Sequence, residues 1–383
     1  MSESSATSLR LALIIHALQG GGAERLMSQL ASRWARSGHA VHLITLASAT
    51  TDAYPLDERV QRHGLDLMRD SQSRLEGALA NIARVRHLRT QLRDLRPEFT
   101  LSFCDRMNIV TATAAAGSNT PVWLSEHSDP RKQRLGKLWE TWRSLAYRRA
   151  SGCVVLTDPI AAWMHNRFPK LQVEVIPPAI APPRVPTFSD PAQVRDDGAP
   201  RLLALGRHSA EKNWIGLLHA WKTLATEFPH WTLVMAGDGP QHAELLRTTD
   251  ALELQDRVEF TGWLADPWSV LGNCAALVLP SFYEGFPITL LEAMSMGLAC
   301  VSAPASDSVQ ELASGGAVEL ARSPAPADLA DALRNVLGSA ERRAELSSAG
   351  RSLAAGYEWD AVGPRWDRLL ARATTRQALN QHA

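Results

Sequence analysis

At 383 residues, with 45% hydrophobic and 21% charged residues, the chain is long enough for two globular domains of ordinary size. Its 40 Lys and Arg balance its 40 Asp and Glu, which argues against a general nucleic-acid binder. The charge is unevenly distributed: residues 1–180 carry 23 Lys and Arg against 16 Asp and Glu, whereas residues 181–383 carry 17 against 24. We therefore expect a basic half that faces an anionic partner and an acidic half.

The start of the chain and its cysteines indicate the compartment. Residues 1–8 are polar and the apolar run after them is short, so the sequence predicts no signal peptide. No apolar run reaches the length of a transmembrane helix. The four cysteines lack the spacing of a C-x-x-C or Cys/His metal site, and three lie in or beside apolar runs. We therefore expect a cytoplasmic protein with buried, reduced thiols.

The chain opens with a βαβ pattern, in which an apolar run at 11–15 precedes a glycine-rich turn, a helix and a second apolar run at 41–46. Such a turn at a helix N-terminus occurs in dinucleotide sites. The spacing is not G-x-G-x-x-G, however, and no acidic residue directly follows the second strand. The segment Gly-Gly-Ala-Glu-Arg at 21–25 instead resembles one that follows the first strand in many family 4 glycosyltransferases, where the glycines let substrate lie against the backbone. That resemblance makes Gly21 and Gly22 candidates for donor binding, with a simple tight turn as the alternative.

Two amphipathic segments of the N-terminal half are basic. Residues 75–95 repeat apolar side chains at helical spacing, with arginines beside them at positions 86, 89, 93 and 96. Residues 131–149 combine an apolar face that includes two tryptophans with seven cations. This composition favours helices at an anionic membrane surface, and solvated or ordinarily docked helix faces are the alternatives. The candidate contacts with the membrane or an acceptor are Arg86, Arg89, Arg93, Arg134 and Lys137.

Residues 99–128 predict two further strands, each followed by polar residues. The second ends in Ser-Glu-His, which places His127 just past the carboxyl end of a strand, where open α/β sheets bind ligands. A lone histidine is more often structural, but this position favours a role for His127 in a site. Strand and helix patterns continue to residue 176, and the proline-rich, polar stretch at 181–200 is typical of an interdomain linker.

The alternation of strands and helices restarts at residue 201 and predicts a second α/β domain over residues 201–356. Its first strand leads into a loop that carries both Arg207 and Lys212. Two cations on one loop can neutralise a diphosphate, and plain surface charge is the alternative. A later strand leads into Gly262 and Leu264.

Residues 276–304 are the most informative stretch and predict strand, loop, helix and strand. Glu284 lies in the loop after the buried strand, and Glu292 follows eight residues later on the helix. Carboxylates beside the free N–H groups of a helix N-terminus suit a polyhydroxylated, anionic ligand. The alternative is one solvated loop glutamate and one glutamate on a helix surface. The further donor-site candidates in this stretch are Gly285, Phe286, Pro287, Ile288 and Leu291.

This stretch resembles the E-x7-E signature of family 4 retaining glycosyltransferases, which have the GT-B fold. The family usually reads S-x-x-E-G-x-P-x-x-x-L-E-A-M-A-x-G-x-P-V-V, and the matching positions are Ser281, Glu284, Gly285, Pro287, Leu291, Glu292, Ala293, Met294 and Gly297. Residues 206–213 are similar to the family's G-R-x-x-x-x-K-N segment. The turn at 303–308 departs from the family's Gly-Gly-Pro turn, which flanks the donor phosphates.

The resemblance implies a GT-B fold of two Rossmann-like domains that face each other across a cleft. Residues 1–180 would bind the acceptor and residues 201–356 the nucleotide sugar, with a C-terminal helix at about 357–375 packing back onto the first domain. Segments of the first domain look most like bacterial transferases that extend polyprenyl-diphosphate-linked oligosaccharides, N-acetylgalactosamine transferases among them.

The resemblance also implies roles for the candidate residues. Glu284 would contact the donor sugar, Glu292 the ribose, and His127 the donor sugar or the acceptor. The backbone at Gly262 and Leu264 would receive the nucleotide base. Arg207 and Lys212 would stabilise the leaving diphosphate without a metal ion or a cofactor.

The implied function is retaining transfer of a hexose or N-acetylhexosamine from a nucleoside-diphosphate sugar, UDP-linked, to a lipid-linked or growing glycan acceptor. The implied partners are this donor, the glycan or polyprenyl-diphosphate acceptor, and the anionic inner face of the cytoplasmic membrane, but no nucleic acid. A GT-B nucleotide-sugar epimerase and a non-enzymatic nucleotide-sugar-binding protein are the alternatives.

Overall fold

The computed structural model describes residues 8–68, 73–133, 135–183, 199–264 and 266–381. The chain divides into two compact units, Met1–Pro177 with Gly363–Ala383 and Pro178–Val362. Residues 184–198 of the predicted linker lie outside the described residues, as does the candidate Arg134. The C-terminal segment that belongs to the first unit begins at Gly363, within the helix predicted at 357–375.

The first unit contains a seven-stranded parallel sheet in the order β3-β2-β1-β4-β5-β6-β7. The strands are β1 (Arg10–Ile15), β2 (Ala40–Thr45), β3 (Gln61–Gly64), β4 (Phe99–Phe103), β5 (Val122–Ser125), β6 (Gly152–Val155) and β7 (Gln172–Val175). Its first five helices are α1 (Gly22–Arg36), α2 (Arg74–Leu95), α3 (Asp105–Ala114), α4 (Lys137–Tyr147) and α5 (Asp158–Arg167). Residues 11–15 are fully buried, as expected for a central parallel strand covered on both faces.

The second unit contains a six-stranded parallel sheet in the order β10-β9-β8-β11-β12-β13. The strands are β8 (Arg201–Leu205), β9 (Thr232–Ala236), β10 (Val258–Gly262), β11 (Ala276–Leu279), β12 (Ala299–Ser302) and β13 (Val318–Leu320). The helices are α6 (Trp214–Glu227), α7 (His242–Ala251), α8 (Trp268–Leu271), α9 (Ile288–Ser295), α10 (Asp307–Ser314), α11 (Pro326–Gly338) and α12 (Ala340–Ala354). Apolar clusters cover both faces of this sheet, with Trp214 and Trp221 fully buried in one of them.

The last helix, α13 (Trp359–Gln381), packs against the first unit from residue 363 onward. Asp367 accepts hydrogen bonds from the guanidinium of Arg33 at 2.7 Å and from Nε1 of Trp34 at 3.0 Å. The ring of Trp366 is fully buried, 5.8 Å from that of Phe103 at the end of β4. No helix among the described residues combines the length and apolar character needed to cross a bilayer.

Both sheets place their loops for ligand binding. In each one the strand order reverses at a switch point, between β1 and β4 in the first and between β8 and β11 in the second. Open α/β sheets bind ligands outside the carboxyl ends of the strands at such points. The loops that follow β8 and β11 carry the sequence-predicted Arg207, Lys212 and Glu284.

Candidate active site

The loops after β8 and β11 are joined by hydrogen bonds at the switch point of the second sheet. The backbone N–H of Phe282 donates to the carbonyl of Glu211 at 2.9 Å. The amide of Asn213 donates to the carbonyls of Pro280 at 3.0 Å and Pro324 at 2.9 Å. Asn213 has a left-handed backbone (φ 57°), which asparagine tolerates better than most residues. These bonds fix the position of Lys212, the neighbour of Asn213, relative to the β11 loop.

Lys212 and Glu284 form an ion pair across these two loops. Nζ of Lys212 lies 2.7 Å from Oε1 of Glu284, and Oγ of Ser281 donates to the same oxygen at 2.6 Å. The side chains of Lys212 and Glu284 are 19% and 12% exposed. The Glu284 carboxylate is thus neutralised and oriented through one oxygen, while its second oxygen has no hydrogen-bond partner among the described residues.

Arg207 lies at the start of the β8 loop. Its backbone carbonyl accepts a hydrogen bond from Nε1 of the buried Trp214 at 2.8 Å, which fixes the backbone while the side chain remains exposed. The guanidinium makes no ion pair within the described part of the chain. A cation held in this way can accept an incoming anion without first breaking another bond.

The start of α9 differs in one detail from the sequence prediction. The sequence predicts free N–H groups at this helix N-terminus, but the N–H of Ile288 donates to the carbonyl of Phe286 at 3.0 Å, because the chain turns tightly at Pro287 (φ −81°, ψ 85°). The N–H groups of Gly285 and Phe286 have no acceptor among the described residues. Two adjacent donors therefore precede the helix, where an anionic oxygen is favoured.

The remaining donor-site candidates of the second unit divide into buried and accessible residues. Glu292 is 3% exposed on α9, and the side chain of Leu291 is fully buried in the core beneath it. Gly262 has φ +70°, and its carbonyl accepts from the N–H of Gly237 at 2.8 Å. Leu264 packs against the apolar cluster on the same face of the sheet as α9. Leu291 therefore supports the helix in this structure, whereas Gly262 ends a strand at the ligand-binding edge.

In the first unit, the glycine-rich turn is occupied by a side chain. Gly21 is the N-cap of α1, and Gly22 is the first residue of that helix. The carboxylate of Glu24 accepts from the N–H groups of Gly20 at 2.9 Å and Gly21 at 3.4 Å, and lies 3.0 Å from Nε2 of His16. Burial raises the pKa of Glu24, but these hydrogen bonds outweigh it and leave the pKa below its usual value. Glu24 thus holds the turn in its folded form.

His127 lies beyond the end of β5, as its position in the sequence predicts. Its Nε2 is 3.0 Å from Oγ of Ser125, and its ring packs against that of Phe103 with 4.2 Å between centroids. Burial lowers the pKa of His127 to about 3, so the imidazole is neutral near pH 7. It can therefore donate or accept a hydrogen bond without adding charge.

Comparison with known proteins identifies the family. Residues 187–353 match the model of glycosyl transferases group 1, and residues 21–179 match the glycosyl transferase 4-like domain. Together the two models span most of the chain, which belongs to these glycosyltransferases and has the GT-B fold. The chain is 26% identical, over 95% of its length and 98% of the relative's, to the Campylobacter jejuni GalNAc-alpha-(1->4)-GalNAc-alpha-(1->3)-diNAcBac-PP-undecaprenol alpha-1,4-N-acetyl-D-galactosaminyltransferase.

Two solved structures show the same fold as this transferase. Sucrose-phosphate synthase from Thermosynechococcus elongatus aligns with a TM-score of 0.81 at 16% identity, over 96% of this chain and 100% of that one. HepE from Anabaena in complex with UDP-glucose aligns with a TM-score of 0.78 at 17% identity, over 95% of this chain and 100% of that one.

The structure changes the interpretation of the two basic segments of the transferase. Arg86, Arg89, Arg93 and Lys137 are all exposed. Arg89 nevertheless donates to the carbonyls of Thr113 at 2.9 Å and Ala114 at 3.1 Å and so caps α3. The helix predicted at 131–149 begins only at Lys137.

Side chains of α4 and α2 also point differently from the predicted amphipathic pattern. Trp142 faces inward and donates to Oγ1 of Thr113 at 2.8 Å, stacked on Trp139 with 5.0 Å between centroids. Arg143, which is one of the seven cations in residues 131–149, is buried. Large apolar side chains lie exposed instead, namely Leu75, Leu79 and Ile82 on α2 and Leu138 and Leu145 on α4. The reason is that α2 and α4 pack on α3 with only part of their apolar surface.

Sequence reasoning missed a buried polar cluster next to His127. Glu126 is fully buried, and its carboxylate accepts a hydrogen bond from the hydroxyl of Tyr147. Burial raises the pKa of Glu126 to about 7, although the nearby Arg143 and the Tyr147 hydroxyl act to lower it. The second carboxylate oxygen has no hydrogen-bond partner among the described residues. The Ser-Glu-His motif is the available signal, but its position after a strand indicates only His127 as a site residue.

Proposed function

We propose that this transferase moves a hexose or N-acetylhexosamine from a UDP-linked sugar to a lipid-linked or growing glycan acceptor, with retention of anomeric configuration. The single observation that carries the proposal is the cluster at the β8/β11 switch point. It combines a carboxylate held by Lys212 and Ser281, two backbone N–H groups that find no acceptor in the described ranges, and the exposed Arg207. The cations and N–H donors can bind the diphosphate of the donor, and the carboxylate can accept hydrogen bonds from the sugar hydroxyls.

The proposed mechanism assigns one task to each group. The N–H groups of Gly285 and Phe286 and the cations Arg207 and Lys212 neutralise the diphosphate as the bond to the sugar breaks. The free oxygen of Glu284 accepts a hydrogen bond from a sugar hydroxyl. The departing phosphate oxygen takes the proton from the acceptor hydroxyl, which attacks on the same face of the sugar. Charge neutralisation by side chains makes a metal ion unnecessary for this step.

The acceptor class is supported by the first unit and by the relative from Campylobacter, whose name contains an undecaprenol-diphosphate substrate. Leu75 on α2 and Leu138 on α4 are 71% and 83% exposed, and Arg86, Arg93 and Lys137 are exposed on the same two helices. Exposed apolar side chains beside cations favour binding to an anionic bilayer. We infer peripheral attachment of the transferase to the inner face of the cytoplasmic membrane, where a polyprenyl-linked acceptor is located.

The test begins with the donor. The full chain is screened by thermal shift with a panel of UDP-, GDP- and ADP-linked sugars, and stabilisation by UDP-sugars is expected. The stabilising donor is then incubated with a polyprenyl-diphosphate glycan, and the anomeric configuration of the product is read by NMR. Retained configuration supports the proposal. Conversion of the donor sugar without an acceptor indicates an epimerase, and binding without turnover toward any acceptor indicates a binding protein.

A further inference from the structure

A group of three metal-ligating side chains lies in the second unit, and the proposed transfer reaction uses none of them. His208 belongs to the loop after β8, Asp238 to the loop after β9, and His242 is the first residue of α7. The two Nδ1 atoms are 3.0 Å apart, and the rings are parallel to within 7°. An oxygen of the Asp238 carboxylate lies within 4.8 Å of the histidine nitrogens. We propose that His208, Asp238 and His242 form a binding site for a divalent transition-metal ion of the zinc class.

The backbone holds the ligands in place before any ion binds. The N–H of His208 donates to the carbonyl of Asp238 at 2.9 Å, and the N–H of Gln241 donates to the carbonyl of His208 at 2.9 Å. The loops also touch at Gly239, where an added Cβ would lie 2.5 Å from the carbonyl oxygen of His208. Glycine is required there because it permits this approach and the φ of +158°. Two loops in such close contact give the histidines little freedom to separate.

The ligand types select the class of ion. Imidazole nitrogens with one carboxylate suit zinc, copper or nickel, whereas magnesium and calcium prefer oxygen ligands. Two nitrogen ligands of a tetrahedral zinc ion are about 3.3 Å apart, close to the observed separation of 3.0 Å. The exposed Asp238 side chain can move inward to supply the third ligand, and water completes the shell.

The aromatic surroundings of His208 are compatible with ligation through Nδ1. Ligation through Nδ1 places the ring proton on Nε2. The rings of Trp214 and Phe260 stand nearly perpendicular to that of His208, at 6.5 and 6.3 Å, and aromatic faces accept weak N–H hydrogen bonds.

The bound ion would have a structural role. It would tie the loop that carries Arg207 to the loop before α7, in addition to the backbone hydrogen bonds between them. This role goes beyond the proposed transfer, in which Arg207 and Lys212 neutralise the diphosphate. The site can therefore be tested without a donor or an acceptor, and its failure leaves the proposed function unaffected.

The experiment measures metal binding by the full chain after treatment with a chelator and dialysis. Zinc chloride is titrated by calorimetry, and cobalt chloride is titrated by visible absorption, which reports tetrahedral coordination. We expect one equivalent of each ion, a tetrahedral cobalt spectrum, and a rise in the unfolding temperature with zinc. Mutation of a residue that only hydrogen-bonds to a metal ligand typically weakens metal binding by roughly 10–100-fold. His242→Ala and Asp238→Asn remove a ligand itself and should weaken zinc binding by at least this factor. His242 is chosen over His208 because it is less buried.

The matched control is His219→Ala, which removes an exposed imidazole from α6 of the same unit. It should bind zinc as the wild type does. The proposal is overturned if the wild type takes up no stoichiometric zinc or cobalt, which would leave the two histidines as a hydrogen-bonded pair only. It is equally overturned if His242→Ala retains the affinity and the cobalt spectrum of the wild type. Circular dichroism of each variant verifies that it is folded.

Discussion

Lys212→Met tests the ion pair at the centre of the proposed site. The substitution keeps an unbranched apolar stem but removes the ammonium group 2.7 Å from Glu284. Exposed ion pairs contribute up to about 1 kcal/mol, whereas removal of one partner from a buried pair costs about 3–5 kcal/mol. The side chains of Lys212 and Glu284 are mostly buried, and Ser281 still donates to the carboxylate in the variant. We therefore expect a loss of about 2–3 kcal/mol in the free energy of unfolding.

The assay is urea unfolding followed by tryptophan fluorescence, with Lys222→Met as the control. Lys222 lies in the same unit and pairs with Glu253 at 3.5 Å, but this pair is exposed. The control should change the free energy of unfolding by less than about 0.5 kcal/mol. The double variant Lys212→Met/Glu284→Gln should regain at least about 1 kcal/mol relative to Lys212→Met, because no unpaired carboxylate remains in the site.

The same variant also tests the chemistry. If Lys212 stabilises the leaving diphosphate, Lys212→Met should lower turnover by about 10²–10³ with the preferred donor, as for the loss of one electrostatic stabiliser. Lys222→Met should transfer sugar at the wild-type rate. Near-normal turnover of Lys212→Met would refute the catalytic role, and a stability equal to that of the wild type would refute the estimated strength of the pair.

Three further predictions concern other parts of the molecule. Glu292→Gln should weaken the binding of free UDP by about tenfold, the equivalent of about 1.4 kcal/mol, whereas Glu284→Gln should mainly reduce sugar transfer. If calorimetry shows the same loss of UDP affinity in both variants, this division of roles is contradicted. The double variant Arg86→Glu/Arg93→Glu should no longer co-sediment with anionic vesicles but should bind UDP as the wild type does, because each cation near an anionic surface contributes about 1 kcal/mol. If the wild-type protein does not bind anionic vesicles either, the proposed membrane attachment is wrong. Because the pKa of Glu126 is raised by burial to about 7, from 4.5, the folded state binds the proton more tightly than the unfolded state, so stability should fall as the pH rises from about 4.5 to 7. Glu126→Gln should reduce this loss in the free energy of unfolding by up to about 3 kcal/mol. If the pH profile of urea unfolding is the same in the variant, Glu126 is already ionised in the folded protein.

Several features of this protein could be predicted from the sequence because they depend on residues close together in the chain. The central parallel strands are short apolar runs, since both of their faces are covered by helices. The strand, loop and helix that carry Glu284 and Glu292 form one continuous segment, and their carboxyl-end position follows from the βαβ pattern. The family resemblance and the glycosyltransferase function rest on motifs of this local kind, which is why family comparison confirms them.

Other features were decided only by tertiary structure, because they join residues that are far apart in the chain. The Lys212–Glu284 pair spans 72 residues and exists because β8 pairs with β11. His208 meets His242 because β8 also pairs with β9. Helical spacing placed Arg89 on a surface stripe, yet the end of α3 lies within its reach and binds the guanidinium through two carbonyls. Periodicity gives the face of a helix on which a side chain lies, but the order of the strands and the packing of the helices determine what that side chain contacts.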